Sequence, residues 1–347
     1  MQDCILVTGV AGFIGMHVAQ RLLAAGETVI GIDNLNSYYD PRLKEARLGE
    51  LARHPNFRFE KVELADREAV KRLFSTHRFP RVVHLAAQAG VRHSLIDPDA
   101  YADSNLMGFL NVLEGCRHGD CQHLIYASSS SVYGANTRVP FQTTDNVDHP
   151  LSLYGATKKA NELMAHAYAH LFRIPATGLR FFTVYGPWGR PDMAMWLFAD
   201  AILAGKPIRL FNHGNMRRDF TYIDDVSQAV ARLVAHPAAP DPAWSGNAPD
   251  PSRSSAPWRV YNIGNSNPVS VPDVVRTQER ELGRKAQCEL VPMQPGDVPE
   301  TCADVSDLEQ AVGFRPATPI DEGIRRFVGW YRDYHGVRTA DNSKVAP

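Results

Sequence analysis

Three glycines in the spacing GxxGxxG constrain the fold of this chain more than any other feature of the sequence. Gly9, Gly12 and Gly15 follow a short apolar run at residues 5–7, and a helical pattern spans residues 12–24. Glycines in such a turn let the backbone approach a pyrophosphate, and the start of the helix favours its negative charge. The motif also fits an ordinary glycine-rich turn, so a second feature is needed to favour a dinucleotide site that includes Phe13 and Ile14.

A carboxylate at the end of the next predicted strand supplies that feature. Residues 28–32 form an apolar run that ends at Asp33, shortly after the predicted helix. A carboxylate there can bind both ribose hydroxyls and disfavours a 2′-phosphate, so the pair of signals predicts NAD rather than NADP. Asn34, Asn36 and Ser37 are candidates for contacts to the adenosine half, although polar residues at this point are also ordinary turn formers.

Short apolar runs alternate with amphipathic stretches from Met1 to Ser130, which is typical of a parallel sheet built from βαβ units. Further strands are predicted at residues 57–61, 81–85, 123–127, 176–180 and 259–263, and helices at 67–76, 105–116 and 154–172. The sequence therefore predicts an α/β protein with a Rossmann-type doubly wound parallel sheet and a smaller α/β C-terminal domain.

Domain limits are predicted from changes in composition. Residues 186–191 are rich in Gly, Pro and Trp, residues 236–257 are typical of a surface insertion, and the tail after His335 is predicted to be frayed. We assign residues 1–180 and approximately 219–263 to the NAD-binding domain. The second, substrate-binding domain takes approximately 181–218 and 264–340.

Charge and cysteine content exclude several classes of protein. The 37 basic and 38 acidic residues give a formal net charge of -1, which argues against a nucleic-acid or anionic-membrane surface. No apolar run approaches the ~18–20 residues of a membrane span. The five cysteines form no CxxC pair and the 13 histidines form no HExxH motif, so neither a disulfide framework nor a metal site is predicted. A cytoplasmic location fits this pattern best.

A tyrosine and a lysine at i,i+4 spacing form the candidate catalytic pair. Tyr154 and Lys158 lie on one face of a predicted helix, where the ammonium and a nicotinamide cation would lower the pKa of the phenol. Tyr154 then becomes a usable proton acceptor. Such pairs are common on helices, but the serine run at 128–131 follows a predicted strand and adds a hydroxyl at the ligand-binding edge of the sheet.

Several long segments resemble a known family. The segments TGVAGFIG, YASSSSVYG and YGATKK resemble the extended short-chain dehydrogenase/reductase superfamily. More narrowly, the chain resembles UDP-glucuronate 4-epimerases in GIDNLNSYYDPRLKEARL, HLAAQAGVRHSL, SNLMGFLNVLEGCR, RFFTVYGPWGRPDMA, RRDFTYIDDV, YNIGNS and MQPGDVPETCAD. These segments run from residue 5 to beyond residue 320 and cover essentially the whole chain.

The resemblance implies a reaction at carbon 4 of a UDP-sugar. Tyr154 would be the catalytic base, Lys158 would hold the nicotinamide ribose, and Ser129 would bind the reacting oxygen. NAD would stay tightly bound and be regenerated in each cycle, because the same hydride leaves and returns. The resemblance also implies cofactor contacts at Glu63, Leu64, Leu85, Ala86 and Ala87. Glu63 and Ser37 depart from the aspartates expected at those two positions.

Hydroxyls and arginines complete the site that the resemblance implies. Ser129, Ser130, Ser131 and Thr183 are candidates for holding the sugar carboxylate so that the 4-keto intermediate keeps it, although serines also cap turns. The other expected contacts are Arg218 to the diphosphate, Arg92 to the diphosphate or the carboxylate, Arg190 near the uridine half, Asp297 to the uridine ribose and Phe211 to the uracil.

The sequence leaves other functions open. An epimerase of neutral UDP-hexoses would need no carboxylate grip. A UDP-glucuronate decarboxylase would be expected to carry Glu in place of Ser131, and 4,6-dehydratases carry Asp and Glu in place of Ser130 and Ser131. A catalytically silent NAD-sensing regulator would need neither Tyr154 nor Lys158. The resemblance further implies a homodimer that pairs through the helices predicted at 105–116 and 154–172.

Overall fold

Seven parallel strands form the central sheet of the protein, and the computed structural model describes residues 3–294 and 296–337. The described residues contain twelve strands, five of which belong to smaller sheets. In chain order the strands are β1 (Asp3–Thr8), β2 (Val29–Asp33), β3 (Phe57–Lys61), β4 (Arg78–His84), β5 (His123–Ser129), β6 (Ala176–Phe181), β7 (Thr183–Tyr185), β8 (Pro207–Leu210), β9 (Arg217–Tyr222), β10 (Trp258–Ile263), β11 (Pro268–Ser270) and β12 (Gln287–Leu290).

Helices follow most of these strands along the chain. They are α1 (Phe13–Ala24), α2 (Pro41–Leu51), α3 (Arg67–Thr76), α4 (Pro98–Tyr101), α5 (Gly108–His118), α6 (Leu153–Phe172), α7 (Ala194–Ala204), α8 (Ile223–Val234), α9 (Val271–Leu282), α10 (Ser306–Val312) and α11 (Ile320–His335). Among these described helices, none combines the length and the apolar content that crossing a membrane requires.

The strand order of the main sheet is β10-β6-β5-β4-β1-β2-β3. The chain therefore builds outward from β1 in one direction and then crosses back to continue through β4. Ligands of doubly wound sheets bind outside the carboxyl ends of the strands at such a switch point, here between β1 and β4. The predicted Rossmann-type fold is confirmed.

Two apolar cores lie on opposite faces of this sheet, since successive side chains of a strand point to opposite sides. On β1, Ile5 and Val7 belong to the core on one side, and Leu6 belongs to the other. The first core continues into α1, α8 and the C-terminal helices. The second core joins α3, α5 and α6, so the two layers hold the carboxyl edge of the sheet rigidly in place.

Smaller sheets form the rest of the chain. Strand β9 pairs in parallel with β7 and antiparallel with β11, while β8 pairs with β12. The sequence did not predict these short strands, nor helices α2, α4, α7, α8, α9, α10 and α11. Strand β9 begins at Arg217 and belongs to the smaller sheet, whereas α8 packs on α1 beside the main sheet.

The segment predicted as a surface insertion, 236–257, contains no helix or strand within the described chain. It is nevertheless packed, because Ser252 and Ala256 are buried and the hydroxyl of Ser254 contacts Nε2 of His166 on α6 at 2.8 Å. The helix predicted from residue 105 begins at Gly108, after a π-helical turn over Ala102–Met107. Residues 338–347, with the predicted domain end at 340, lie outside the described residues.

Candidate active site

A cleft of about 1150 Å³ opens at the carboxyl edge of the main sheet and reaches the smaller sheets. A site for a single small ligand typically takes ~300–1,000 Å³, so the cleft has room for a dinucleotide and a second ligand. Every site residue predicted from the sequence lines it except Ser37. Ser37 is exposed, because the turn in which the Asn36 side chain accepts from the Tyr38 amide at 3.4 Å places it on the surface.

The glycine turn after β1 is shaped by close backbone contacts. A side chain on Gly9, which has a φ of 69°, would meet the backbone nitrogen of Ala86 at 2.7 Å. One on Gly15 would meet the carbonyl oxygen of Gly9 at 2.1 Å. Helix α1 starts at Phe13 with no side-chain cap, so its first amides face the cleft, where a phosphate can take them. This backbone cradle fits a pyrophosphate.

Asp33 lies where β2 ends and lines the cleft. Its Oδ1 accepts the amide of Leu35 at 2.8 Å and stands 3.9 Å from the ammonium of Lys44, which Asn36 also holds at 2.7 Å. The Asp33 carboxylate is thereby oriented for a ribose. Lys44 was not predicted, since a lysine on the following helix carries no local signal of this contact.

The adenine side of the cleft shows how the chain accommodates Glu63. Its carboxylate accepts the side-chain amide of Asn34 at 2.7 Å and the backbone amide of Ala65 at 3.1 Å. The extra methylene of Glu63, compared with the expected aspartate, lets it reach Asn34 across the cleft edge. Leu64, Leu85, Ala86 and Ala87 line the adjoining wall.

Tyr154, Ser129 and Lys158 come together where β5 ends and α6 begins. Ser152 caps α6 by accepting the amide of Gly155 at 3.1 Å, which places Tyr154 in the first turn. Ser129 lies close enough to the Tyr154 phenol to lower its pKa, and the Lys158 ammonium donates to the carbonyl of Ala127 at 2.9 Å. A hydroxyl donor and a phenol thus face one point of the cleft.

Burial is the largest influence on the pKa values of Tyr154 and Lys158. Burial raises the pKa of Tyr154, while the hydrogen bond from Ser129 and the charge of Arg190 act in the opposite direction. Burial also lowers the pKa of Lys158 to about 8. The lowering of the Tyr154 pKa by Lys158 together with a nicotinamide cation stays a prediction.

A buried ion pair supports the serine run from below. Arg180 on β6 donates to both carboxylate oxygens of Glu162 on α6, at 2.9 and 3.0 Å, and both side chains are essentially inaccessible to solvent. Glu162 also accepts the hydroxyl of Ser128 at 2.6 Å. The Ser128 hydroxyl is therefore bound to Glu162, whereas Ser129 lies beside Tyr154.

Uncharged hydroxyls line the wall next to Tyr154. Ser130 and Ser131 follow β5 in a short 3₁₀ turn, and Thr183 begins β7 on the facing side of the cleft. The Ser131 amide donates to the Ser129 hydroxyl at 3.1 Å, which holds the run in place. No carboxylate occupies positions 130, 131 or 183, so this wall can donate hydrogen bonds to an anionic group without repelling it.

Two arginines lie at the end of the cleft nearest the smaller sheets. Arg218 donates to Oδ1 of Asp297 at 2.6 Å and to the carbonyl of Pro299 at 3.1 Å. Arg92 lies over the ring of Phe211, with 4.9 Å between the guanidinium carbon and the ring centre. The structure thus brings together side chains that are far apart in the sequence. Two guanidinium groups here fit a diphosphate.

Arg190, which the resemblance predicts near the uridine half, lines the same cleft and contacts the loop that follows Asp33. Its guanidinium pairs with Asp192 at 2.5 Å and lies 6.0 Å from the ring centre of Tyr38. Tyr38 belongs to the loop that follows Asp33, so the Arg190 segment is joined to that loop. The contact joins two segments that are distant in the chain, and for that reason sequence reasoning missed Tyr38 and Asp192.

Within the described ranges, no group of three or more His, Cys, Asp or Glu side chains is placed to hold a metal ion. The catalytic candidates of this cleft are the phenol, the hydroxyls and the cationic side chains described above. Their arrangement suits proton transfer at a sugar hydroxyl beside a bound dinucleotide.

Comparison with known proteins agrees with this geometry. The model of the NAD dependent epimerase/dehydratase family matches residues 5–264. The chain is 48% identical over 336 residues to a probable UDP-glucuronate 4-epimerase of Rhizobium meliloti (strain 1021), covering 96% of this chain and 98% of that protein.

Solved structures give the same picture in three dimensions. UDP-glucuronic acid 4-epimerase from Bacillus cereus, in complex with UDP-glucuronic acid and NAD, superposes with a TM-score of 0.83 at 31% identity, covering 96% of this chain and all of that one. UDP-glucose 4-epimerase from Thermotoga maritima, with UDP-glucose, gives 0.82 at 29% identity, with the same coverage. From its sequence, its fold and this cleft, the chain belongs to the NAD dependent epimerase/dehydratase family.

Proposed function

We propose that the protein is a UDP-glucuronate 4-epimerase that interconverts UDP-glucuronate and UDP-galacturonate. The observation that carries this proposal is that Ser129, Tyr154 and a wall of neutral hydroxyls line one cleft, at the edge where the glycine turn and Asp33 also lie. The family membership and the similarity to UDP-glucuronate 4-epimerases support it.

The cofactor is NAD, and the residues that would hold it are those of the first two strand ends. The glycine turn and the start of α1 would bind the pyrophosphate, and Asp33 would bind the adenosine ribose. Lys158 would hold the nicotinamide ribose. When bound, NAD accepts the hydride from carbon 4 of the sugar and returns it.

The chain's own residues handle the proton and the sugar. Tyr154 accepts the proton of the 4-hydroxyl as the sugar is oxidised and gives it back to the 4-keto sugar from its other face, after the sugar has rotated about the diphosphate. Ser129 donates a hydrogen bond to the same oxygen. Arg218 and Arg92 hold the diphosphate, Asp297 and Phe211 hold the uridine, and Arg190 contributes positive charge near Tyr154.

Glucuronate specificity follows from the hydroxyl wall. The 4-keto intermediate of a glucuronate is a β-keto acid, which loses carbon dioxide when the breaking bond aligns with the ketone. Hydrogen bonds from Ser130, Ser131 and Thr183 would hold the carboxylate out of that alignment. A neutral-hexose epimerase has no use for such a wall, and a decarboxylase would gain from a carboxylate at 131.

The chain is divided into a cofactor-binding and a sugar-binding domain. We propose that residues 1–180 and approximately 219–263 bind NAD, and that approximately 181–218 and 264–340 bind the UDP-sugar. A homodimer through α5 and α6 is supported by exposed apolar side chains on α6 and directly before α5, namely Met107, Leu163, Leu171 and Phe172. Light scattering that gave the mass of a single chain would contradict the dimer. The cysteine pattern of the sequence supports a cytoplasmic location.

The test is an NMR time course with purified protein, UDP-glucuronate and no added cofactor. We expect conversion to UDP-galacturonate, because NAD is carried with the protein. UDP-xylose or a 4-keto pentose would identify a decarboxylase. Turnover of UDP-glucose alone would identify a neutral-hexose epimerase, and an NAD-loaded protein that turns over neither substrate would identify a regulator.

A further inference from the structure

We propose that Tyr38, Arg190 and Asp192 form a clasp across the cleft that retains the cofactor between turnovers. Tyr38 lies on the loop between β2 and α2, and the other two residues lie on the loop between β7 and α7. The inference rests on the proposed function only in that the cleft binds NAD. It assigns a role in cofactor retention to Tyr38 and Asp192, which the proposed chemistry at carbon 4 does not use, and gives Arg190 this role besides its charge near Tyr154.

The contacts of the clasp are specific. The Tyr38 hydroxyl donates to Oδ2 of Asp192 at 3.1 Å. The same carboxylate accepts Nε and Nη2 of Arg190 at 3.0 and 2.5 Å, and the guanidinium lies over the Tyr38 ring. One carboxylate therefore joins the two loops, with an aromatic ring and a guanidinium on either side of it.

The clasp lies in the cleft that would hold the nucleotide, since its three residues line that cleft together with the glycine turn and Asp33. Asp33 marks the adenosine end of the cleft, and Tyr154 with Lys158 marks the end where hydride transfer occurs. Tyr38 follows shortly after Asp33 in the chain, and Arg190 is close enough to Tyr154 to lower its pKa. The Tyr38–Asp192 bond joins two loops, and both residues line the cleft.

The bases of both loops are fixed, so that opening is confined to the clasp itself. The buried guanidinium of Arg47 on α2 donates to the carbonyl of Ala11 in the glycine turn at 2.9 Å. It also donates to the carbonyls of Trp188 and Gly189, at 2.7 and 3.1 Å. Arg47 therefore ties the base of the second loop to the pyrophosphate turn and to the helix that follows the first loop.

A third loop supports the ring of Tyr38. The ring of His93 lies 4.8 Å from it, measured between ring centres, and a side chain on Gly90 would meet the Tyr38 hydroxyl at 2.9 Å. Glycine at 90, with a φ of 111°, leaves room for the tyrosine. Tyr38 is in this way aimed at Asp192 and held there.

The clasp is nevertheless partly exposed to solvent, so its contacts can open. The side chains of Arg190 and Asp192 are 20% and 32% exposed, in contrast with the fully enclosed pair of Arg180 and Glu162. Exposed ion pairs contribute little to folding and break readily. Substitutions here should therefore alter cofactor release without unfolding the chain. Retention is needed because the 4-keto sugar must be reduced by the same cofactor that oxidised it.

The test measures release of the cofactor, and it needs no turnover. Full-length protein is loaded with radiolabelled NAD, chased with excess unlabelled NAD, and sampled for label that stays with the protein. The variants are Tyr38→Phe, Asp192→Asn and their double mutant. The control is Tyr331→Phe, which removes a tyrosine hydroxyl that donates to Asp200 outside the cleft.

Tyr38→Phe should release NAD about 5- to 30-fold faster, since it loses one hydrogen bond to a charged acceptor at a partly exposed place. Asp192→Asn should release it faster still, because it removes the charge that pairs with Arg190, and the double mutant should fall short of the product of the two single effects because both changes act on one contact. Tyr331→Phe should release it at the wild-type rate.

Release rates within twofold of wild type in Tyr38→Phe and Asp192→Asn would overturn the clasp and leave the proposed function standing. Release accelerated equally in Tyr331→Phe would overturn it as well, since the effect would then be general. A wild-type protein that takes up no NAD would overturn the proposed function and the clasp together. A wild type that holds NAD but does not epimerise would remove only the proposed activity.

Discussion

The two ends of the cleft are built in different ways. The cofactor end is formed mostly by backbone atoms: the turn after β1 approaches Ala86 closely, α1 presents uncapped amides, and Asp33 ends a strand. At the sugar end, long cationic side chains are held by other side chains, since Arg218 on β9 donates to Asp297 and Arg92 lies over the ring of Phe211. One end is therefore rigid before any ligand binds, whereas at the other a substrate must compete with an internal ion pair.

Tyr154 lies where these two ends meet, so its removal should separate chemistry from binding at both. Tyr154→Phe should lower kcat by about 10²- to 10⁴-fold, because the phenolic proton acceptor is lost. The NAD content and the affinity for UDP-sugar should stay near wild type. Steady-state rates, together with NAD released on denaturation, provide the measurement. Full activity would remove Tyr154 from the mechanism.

Asp33→Asn should affect the cofactor end alone. The amide loses the charge-assisted hydrogen bonds to the ribose, which should weaken NAD binding by about 10- to 100-fold. Equilibrium binding of NAD to stripped protein measures this, and the KM for UDP-glucuronate at saturating NAD should not change. Wild-type NAD affinity in this variant would mean that the backbone turn suffices without Asp33.

Arg218→Ala should affect the sugar end alone, as the mirror image of the change at Asp33. Loss of one guanidinium should raise the KM for UDP-glucuronate by about 10- to 100-fold at unchanged NAD content. Its neighbour Arg217 is the matched control, since it is half-exposed, points away from the cleft and binds Glu300 and the carbonyl of Pro268. An equal loss in Arg217→Ala would show that the effect comes from the strand and not from the diphosphate.

The smallest effect concerns stability at the cofactor end. Because burial lowers the pKa of Lys158 to about 8, its charged form destabilises the ligand-free fold at neutral pH. Lys158→Met should raise the free energy of unfolding at pH 7 by about 1–3 kcal/mol while abolishing activity. Lys159→Met, which loses a pairing with Glu162 at 3.6 Å, should show no such gain.

The sign of the pH dependence follows from the same shift. Between about pH 8 and the ordinary lysine pKa, the unfolded chain binds a proton at Lys158 that the folded chain has lost, so wild-type stability rises with pH. The advantage of Lys158→Met should therefore be largest below pH 8 and shrink above it. Chemical denaturation at pH 7 and pH 10 gives both values. An advantage that does not change with pH would contradict the assignment.

The same contrast explains how far the sequence could be interpreted. The cofactor end follows from local signals, since a glycine turn or a strand-end carboxylate is recognisable within a single βαβ unit. The strands of the main sheet were predictable for the same reason. The contacts of the clasp could not be predicted, because Tyr38 meets Asp192 only once two loops that are distant in the sequence have folded together.

The pKa of Tyr154 shows the other limit of sequence reasoning. The residues Tyr154 and Lys158 were found from their spacing, and the structure brings both to the cleft. Their spacing, however, cannot report that Lys158 is turned toward the carbonyl of Ala127, or that burial dominates the pKa of both groups. These depend on the enclosing protein, which only the folded chain defines.

The most direct test of the central claim follows the hydrogen at carbon 4. UDP-glucuronate deuterated at carbon 4 is incubated in ordinary water with the purified protein and no added cofactor, and the product is examined by NMR and mass spectrometry. If the sugar is oxidised and reduced by one retained cofactor, UDP-galacturonate will form with its deuterium still on carbon 4. Product that carries hydrogen from solvent at carbon 4 would contradict the account.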